Sequence, residues 1–325
     1  MKIGIIGAGQ IAQVMARTVN QMPDLTLYAV CSAHVQSAQK LAAEFGFHKV
    51  YESSQQLLAD PQVELVYVAT PHSTHYELMK QCIAYKKPVL CEKPFATNYQ
   101  QAAEIMELAR QNGVFVCEAF WSRFLPIHAQ VAQELAGGAI GEVRMVMANI
   151  GGVGDHQPRI RERRFAGGAL LDVGIYAITF ASMWLGPDVQ QVRGQCTKLD
   201  TGVDSQAGIW MEWADNRVAV LSCTTHAVVQ KSGMVCGSEG YVCFDHINNP
   251  KTVRFFDQDR QLVRTLQAPP QITGYEYEMA AAVTAVQQGK LECEQIPHAE
   301  TLRILSIADQ LRKQWGVVYD WEESL

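Results

Sequence analysis

The sequence predicts an α/β protein in two parts. A parallel-sheet domain over residues 1–120 is followed, over residues 121–325, by an α+β domain with a large, mostly antiparallel sheet. Three observations carry this expectation. Through the first third, short apolar runs alternate with amphipathic stretches, the rhythm of right-handed βαβ units with helices on both faces of a sheet. A glycine turn, Gly7-Ala8-Gly9, joins the first apolar run to the first amphipathic stretch. After about Glu118 most segments read as strands separated by short gaps. Short gaps suit antiparallel neighbours, because a parallel return needs a crossover of roughly a dozen residues.

Taken in order, residues 2–6 (KIGII) form a strand, 10–21 a helix and 25–31 a second strand. Residues 36–45 are helical, 65–70 a strand, 75–84 a helix, 89–91 a short strand, 99–111 a helix and 114–117 a strand. Beyond the change of rhythm, residues 126–136 are helical and 168–184 contain another helix. Strands are expected at 143–150, 189–197, 206–213, 218–225, 234–236, 241–245, 252–256 and 262–266, with turn signals such as Asp215-Asn216 between them. Helices near 275–288 and 298–314 close the chain.

Composition bounds the function without naming it. The 325 residues are 48% hydrophobic and 18% charged, values that suit about two globular domains rather than a disordered or collagen-like chain. With 27 basic against 33 acidic residues the net charge is −6, which disfavours a nucleic-acid polyanion as the main partner. Nine cysteines without a C-x-x-C pair fit a reducing compartment, and the expectation is a cytoplasmic protein. The apolar amino terminus is interrupted by Gly4, Gly7, Gly9, Gln10, Gln13 and Arg17, so it lacks the continuous core of a signal peptide. No membrane span of ~20 apolar residues is expected elsewhere.

Gly7-Ala8-Gly9-Gln10-Ile11-Ala12 has the G-x-G-x-x-A form of a dinucleotide fingerprint between a strand and a helix. Gly7 permits the tight turn, Gly9 lets a pyrophosphate approach the backbone, and Ala12 brings the helix close to its strand. The free amides at Gln10 and Ile11 and the positive end of the helix dipole would hold the phosphates. By itself the motif is weak, since a methyltransferase or a structural turn produces it too. An NAD-specific site usually has an acid about 20 residues further on. Here the second strand ends in Val30-Cys31-Ser32-Ala33-His34, without a carboxylate. Ser32 and His34 could hold a 2′-phosphate, which favours NADP and leaves NAD open; a strand end that ignores the ribose is the bland alternative.

Cys91-Glu92-Lys93-Pro94 follows a strand whose carboxyl end faces the ligand crevice of such a sheet, so Lys93 is aimed at the site. In Gly167-Gly168-Ala169-Leu170-Leu171-Asp172-Val173-Gly174-Ile175-Tyr176, Asp172 and Tyr176 lie four apart on one helix face. Each of these features alone is more often structural. In combination, GIIGAGQIA, VATPHSTH, CEKPFA and GGALLDVGIY, in this order, resemble the Gfo/Idh/MocA (glucose–fructose oxidoreductase, inositol dehydrogenase) family over nearly the whole chain. The segment EAFWSRF at 118–124, with Tyr176 where many relatives have His, resembles the branch of dihydrodiol and NADP-dependent D-xylose dehydrogenases.

That resemblance implies a Rossmann-type first domain and an NAD(P)-dependent dehydrogenase acting on a secondary hydroxyl or hemiacetal of a sugar or cyclic diol. It implies that Lys93 and Tyr176 flank the reacting hydroxyl, with Tyr176 as general acid/base. Its reference pKa near 10 must fall to serve near pH 7, and a nearby ammonium favours the phenolate. Asp172 would orient Lys93 or a sugar hydroxyl. Thr70, Pro71, His75, Glu92, Trp121 and Arg123 match positions around the cofactor. The chain departs from the pattern at Ala166, where relatives carry a glycine, and at Ala33, where many have Arg. Residues 151–164 (GGVGDHQPRIRERR) are also unlike the family and are expected in a substrate-facing loop.

Other readings stay open. A catalytically silent cofactor-binding regulator of the same fold is the main alternative, and a transferase on a glycine-rich nucleotide fold would bind no nicotinamide. His72 and His75 lack further ligands at metal spacing, so no metal is expected. Arg159, Arg161, Arg163 and Arg164 would either hold a cofactor phosphate or an acidic sugar, or form a solvated loop or pair across a dimer contact. One face of the second sheet should stay open unless a second copy covers it, which predicts a homodimer through that sheet.

Overall fold

The computed structural model describes residues 1–322. In chain order it contains β1 (Lys2–Ile6), α1 (Gln10–Val19), β2 (Thr26–Cys31), α2 (Val35–Phe45), β3 (Lys49–Tyr51) and α3 (Ser54–Ala59). Then follow β4 (Leu65–Val68), α4 (His75–Ala84), β5 (Val89–Glu92), α5 (Tyr99–Asn112) and β6 (Val116–Ala119). The next stretch holds α6 (Pro126–Ala136), β7 (Val143–Gly151), α7 (Pro158–Arg161), α8 (Ile175–Leu185), β8 (Val189–Lys198) and β9 (Asp204–Trp213). It continues with β10 (Val218–Thr224), β11 (Gly233–Gly237), β12 (Gly240–Phe244), β13 (Thr252–Asp257) and β14 (Leu262–Gln267). The helices α9 (Glu276–Gln287) and α10 (His298–Trp315) end the chain.

The first compact unit comprises residues 1–124 and 271–302. Its six-stranded sheet runs β3-β2-β1-β4-β5-β6, parallel throughout. This is the doubly wound order, reversing between β1 and β4, where such folds bind ligands at the strand carboxyl ends. β4 (LVYV) and β5 (VLCE) are buried at every position, as strands covered on both faces must be. α1 lays Ala12, Met15, Ala16 and Val19 on its buried face, the i, i+3, i+4, i+7 spacing of an amphipathic helix. α5 starts where the Asn98 side chain accepts the Gln101 N–H at 2.9 Å.

The expected division after residue 120 differs from this unit in two ways: the cut falls after Phe124, and residues 271–302 return to it. The return has a hydrogen-bonded cause. The Val116 N–H donates to Leu291 O, and His298 Nε2 lies 2.9 Å from Val116 O, so the end of β6 is fastened to the α9–α10 connection. Trp121 also stacks on Tyr275, with centroids 4.4 Å apart and planes 7° from parallel. Three short elements had no counterpart in the sequence reading: β3, α3 and, within the expected loop at 151–164, α7.

The second unit comprises residues 125–270 and the chain from 303 onward; residues 323–325 of the expected second domain lie outside the described residues. Its eight-stranded sheet runs β14-β13-β12-β11-β7-β10-β9-β8. It is antiparallel except between β7 and β10, which pair in parallel from Val218↔Met145 to Thr224↔Gly151. Short gaps alone suggested antiparallel neighbours, but α7, α8, β8 and β9 intervene between these two strands and supply the crossover. α8 (IYAITFASMWL) is apolar on nearly all sides and packs on β7 and β10. Residues 163–185 are long and apolar enough in composition to cross a bilayer, contrary to the expectation of no such segment. The most apolar 18 residues of that segment are 83% buried, as a core helix must be.

Candidate active site

The β1–α1 turn assigns its two glycines different tasks. Gly7 has φ +116° and donates its N–H to Cys31 O at 2.8 Å. A Cβ there would lie 2.7 Å from the Ala69 carbonyl carbon and closer still to its oxygen, so the fold itself demands glycine. Gly9 is extended (φ −78°, ψ −172°), and a Cβ there would meet no atom within 4 Å among the described residues. The packing of the fold does not itself demand glycine at Gly9. Behind it α1 begins with Gln10 and Ile11, with no side chain capping its first amides and no acid in its first turn. Ala12 is fully buried against the sheet. Open amides at the positive end of a ten-residue helix, reached over a bare backbone, fit a pyrophosphate.

At the end of β2, Ser32 Oγ accepts the His34 N–H at 3.4 Å, and His34 leads into α2, whose first turn carries no acid. After β4, Thr70 and Pro71 form a ledge in which the Thr74 hydroxyl donates to Thr70 Oγ1 at 2.7 Å. His75 is fully buried, with Nδ1 2.9 Å from Pro94 O and Nε2 3.0 Å from Thr70 O. Both ring nitrogens thus face main-chain carbonyls, and the ring ties the Thr70 ledge to the turn holding Lys93. Burial pushes its pKa below the usual histidine value, and those two carbonyls oppose that shift.

Lys93 leaves β5 through a cis bond to Pro94 and is half-buried. Its N–H donates to Glu92 Oε2 at 3.2 Å, and Glu92 Oε1 accepts a short hydrogen bond from the Tyr67 hydroxyl. Two residues on, the Phe95 N–H donates to Glu118 Oε1 at 2.9 Å, while the Thr301 hydroxyl donates to Glu118 Oε2 at 2.7 Å. Trp121 is buried flat against Tyr275. Arg123 donates Nε–H to Gln295 O at 2.9 Å and places Nη1 3.4 Å from Glu300 Oε1. These two residues therefore build the wall of the first unit.

In the second unit, Asp172 and Tyr176 lie on a helix whose opening turn, Leu170–Gly174, is a π-helix. Such turns widen the helix locally and gather at functional sites. The helix start is held by Gly168 (φ +117°) and by Asp204, whose Oδ2 accepts the Leu170 N–H at 2.6 Å. A Cβ on Gly168 would lie 3.1 Å from Asp204 Cγ and nearer still to Oδ1. Burial raises the Asp204 pKa to about 6. Both Asp172 and Tyr176 are buried, and Arg159 of α7 donates Nη1–H to Asp172 Oδ1 at 2.7 Å.

The arginine run therefore divides. Arg161 pairs with Asp200, Arg163 with Val318 O and Asp320, and Arg164 with Glu162, while Arg159 reaches the predicted site residue Asp172. Sequence reasoning treated Arg159 only as one of the arginine run, without a pairing to Asp172, and gave no role to Glu118 as a support under the Lys93 turn or to Asp204 at the helix start. His72 and His75 make an edge contact with ring centroids 6.0 Å apart. Among the described residues no three His, Cys, Asp or Glu side chains gather as metal ligands would.

Comparison with known proteins agrees with this layout. The amino-terminal model of the Gfo/Idh/MocA group, an oxidoreductase family with an NAD-binding Rossmann fold, matches residues 1–120. The group's carboxy-terminal domain model matches residues 128–243. A trans-1,2-dihydrobenzene-1,2-diol dehydrogenase from Danio rerio is 31% identical over 98% of each chain, and the Homo sapiens protein of that name is 29% identical over 98% of each. Among solved structures, a 3-ketoreductase from Actinomadura kijaniata in complex with NADP and TDP-benzene superposes with a TM-score of 0.87. It is 28% identical, over 96% of this chain and 97% of that one. An aldose–aldose oxidoreductase from Caulobacter crescentus, 20% identical with a TM-score of 0.85, shares the fold over 96% of both chains.

Proposed function

Because the chain belongs to the Gfo/Idh/MocA oxidoreductase family, with its NAD-binding Rossmann fold, we propose that it oxidises or reduces a secondary alcohol with a nicotinamide cofactor. The substrate is a secondary hydroxyl or hemiacetal of a sugar or cyclic diol. The observation that carries this reading is the contrast at the β1–α1 turn. Gly7 is dictated by the Ala69 carbonyl, whereas Gly9 stands in open space before uncapped amides. That cradle fits the dinucleotide's pyrophosphate. Ser32 and His34, with no acid at the tip of β2, favour a 2′-phosphate and hence NADP. Bound there, the nicotinamide would exchange hydride with the carbinol carbon.

The chain's own residues would handle the proton and the alignment. Tyr176 takes the hydroxyl proton in oxidation and returns it in reduction. Lys93 donates a hydrogen bond to the same substrate oxygen and favours its anionic form. Asp172, held from outside by Arg159, presents carboxylate oxygen to a neighbouring hydroxyl or to Lys93. Thr70, Pro71 and Trp121 complete the cofactor's surroundings, with His75, Glu92 and Arg123 supporting them from behind.

The dihydrodiol dehydrogenases among the relatives support the diol side of this substrate class. The nine free cysteines, most of them buried, fit a reducing, cytoplasmic setting. The sheet face opposite α8 exposes Met147, Trp210 and Val220, and a second copy of the chain covering that face would give a homodimer. The test is reduced-nicotinamide absorbance with NADP and NAD across a panel of aldoses, inositols and trans-diols. Turnover with NADP on at least one class is expected. Cofactor binding without turnover on any of them would favour a silent regulator, and no binding of either cofactor would overturn the reading.

A further inference from the structure

Beneath the turn that carries Lys93 lies a polar cluster that the hydroxyl chemistry does not use. Glu118, at the end of β6, is buried, and both of its carboxylate oxygens are engaged. Oε1 accepts the Phe95 N–H at 2.9 Å and Oε2 accepts the Thr301 hydroxyl at 2.7 Å. Phe95 is two residues beyond Lys93, across Pro94, whose carbonyl meets the buried ring of His75. The Lys93 N–H is held by Glu92 on the other side of the turn. Three buried side chains on β5, β6 and α4 thus hold the main chain of three consecutive residues, Lys93, Pro94 and Phe95, in one turn. Glu118 is also braced from α10, through Thr301.

We propose that Glu118 is a positioning residue for Lys93: its carboxylate, braced by Thr301, anchors the Phe95 amide and so fixes the turn from which Lys93 reaches the substrate oxygen. The assignment rests on the reading of Lys93 given above. A hydrogen bond to a carboxylate is roughly twice as strong as one to a neutral acceptor. Ionised, Glu118 accepts at both oxygens; protonated, it must donate at one of them and its grip on the Phe95 amide weakens.

The surroundings place that change near neutrality. Burial raises the Glu118 pKa to about 7, with the Thr301 and Phe95 hydrogen bonds and the Lys93 charge opposing the rise and Glu92 adding to it. The other charged or titratable groups facing the cluster are Cys91 on β5, Arg123 on the turn after β6 and Glu278 on α9. Glu300 on α10 pairs with Arg123. Burial raises the Glu278 pKa well above the ordinary carboxylate value.

The test compares wild type, Glu118→Gln and Glu118→Leu. One readout is kcat and KM across neutral pH, and the other is the amide signal of Phe95 in cofactor-free protein labelled with 15N-phenylalanine. Wild-type kcat should fall on the acid side of about pH 7, and the Phe95 amide proton should titrate with the same midpoint. Glu118→Gln should hold the lower, acid-side kcat at every pH, with KM within about threefold and a flat Phe95 signal. Glu118→Leu should lose about 30-fold or more in kcat, because the amide has no acceptor left.

A Leu variant that folds and keeps kcat within threefold of wild type overturns the proposal. So does a Gln variant whose pH profile coincides with that of wild type. If the Leu variant does not fold, the Gln profile and the amide titration decide. Absence of turnover by wild type on every substrate refutes the dehydrogenase reading instead. In that case a Phe95 amide that titrates in wild type and not in Glu118→Gln still supports the Glu118 anchor, and one that does not titrate overturns it.

Discussion

Replacing Gly9 with Ala separates what the fold needs from what the cofactor needs. The backbone at Gly9 is extended, a conformation alanine adopts freely, and the added methyl meets no atom within 4 Å. The only structural cost is alanine at a helix N-cap, on the order of 1 kcal/mol or less relative to glycine. In a chain of this size that lowers the melting temperature by a few degrees at most, roughly 2–4 °C per kcal/mol. The same methyl stands before the uncapped amides of α1, where a pyrophosphate would sit. Losing one hydrogen bond to a charged group costs about 1.5–3 kcal/mol, or roughly 10- to 100-fold in affinity. Calorimetric titration with NADPH, beside a thermal melt, measures both quantities. Gly7→Ala is the control: its methyl collides with the Ala69 carbonyl at a positive φ, so it should lose several degrees of stability as well as binding. A Gly9→Ala protein that melts normally and binds NADPH within twofold of wild type would refute the assignment of this turn.

Three further outcomes follow from the same structure. Glu278 is fully buried, and both of its carboxyl oxygens lack a hydrogen-bond partner among the described residues. Glu278→Met should therefore raise stability by about 1–3 kcal/mol in urea melts, and a loss of stability would show an unseen partner. Glu118, raised by burial from 4.5 to about 7, binds its proton more tightly folded than unfolded. Its contribution to stability is full below pH 4.5 and falls by about 3 kcal/mol as pH rises through 7. Urea melts at pH 5 and pH 8 should show that decline in wild type and a smaller one in Glu118→Gln; equal slopes would count against it. Light scattering at micromolar concentration should give twice the chain mass, and Trp210→Glu on the open sheet face should give a monomer. A wild-type monomer would rule out the dimer.

Much of the fold was legible because its signals are local. Alternating runs announced the first sheet, and the two glycines announced its ligand turn, since both express backbone requirements of neighbouring residues. β3 is a three-residue, mostly exposed edge strand and α3 has six residues, so neither displays a period. The parallel pairing of β7 with β10 and the return of α9 to the first unit depend on partners more than sixty residues away along the chain. At the site, Lys93, Asp172 and Tyr176 stood out through their motifs. Arg159 did not, because four arginines crowd one segment and only the folded loop selects which of them meets Asp172. Glu118 was hidden for the same reason: its partners Phe95 and Thr301 lie far apart in sequence and meet only across the end of β6.

The central claim is that this fold transfers hydride while Tyr176 carries the proton. Its most direct measurement is the turnover of Tyr176→Phe beside wild type, on the best substrate of the panel and with the preferred cofactor. Removing the hydroxyl should lower kcat by about 10²-fold or more while leaving cofactor affinity within about threefold. Turnover close to that of wild type would contradict the account.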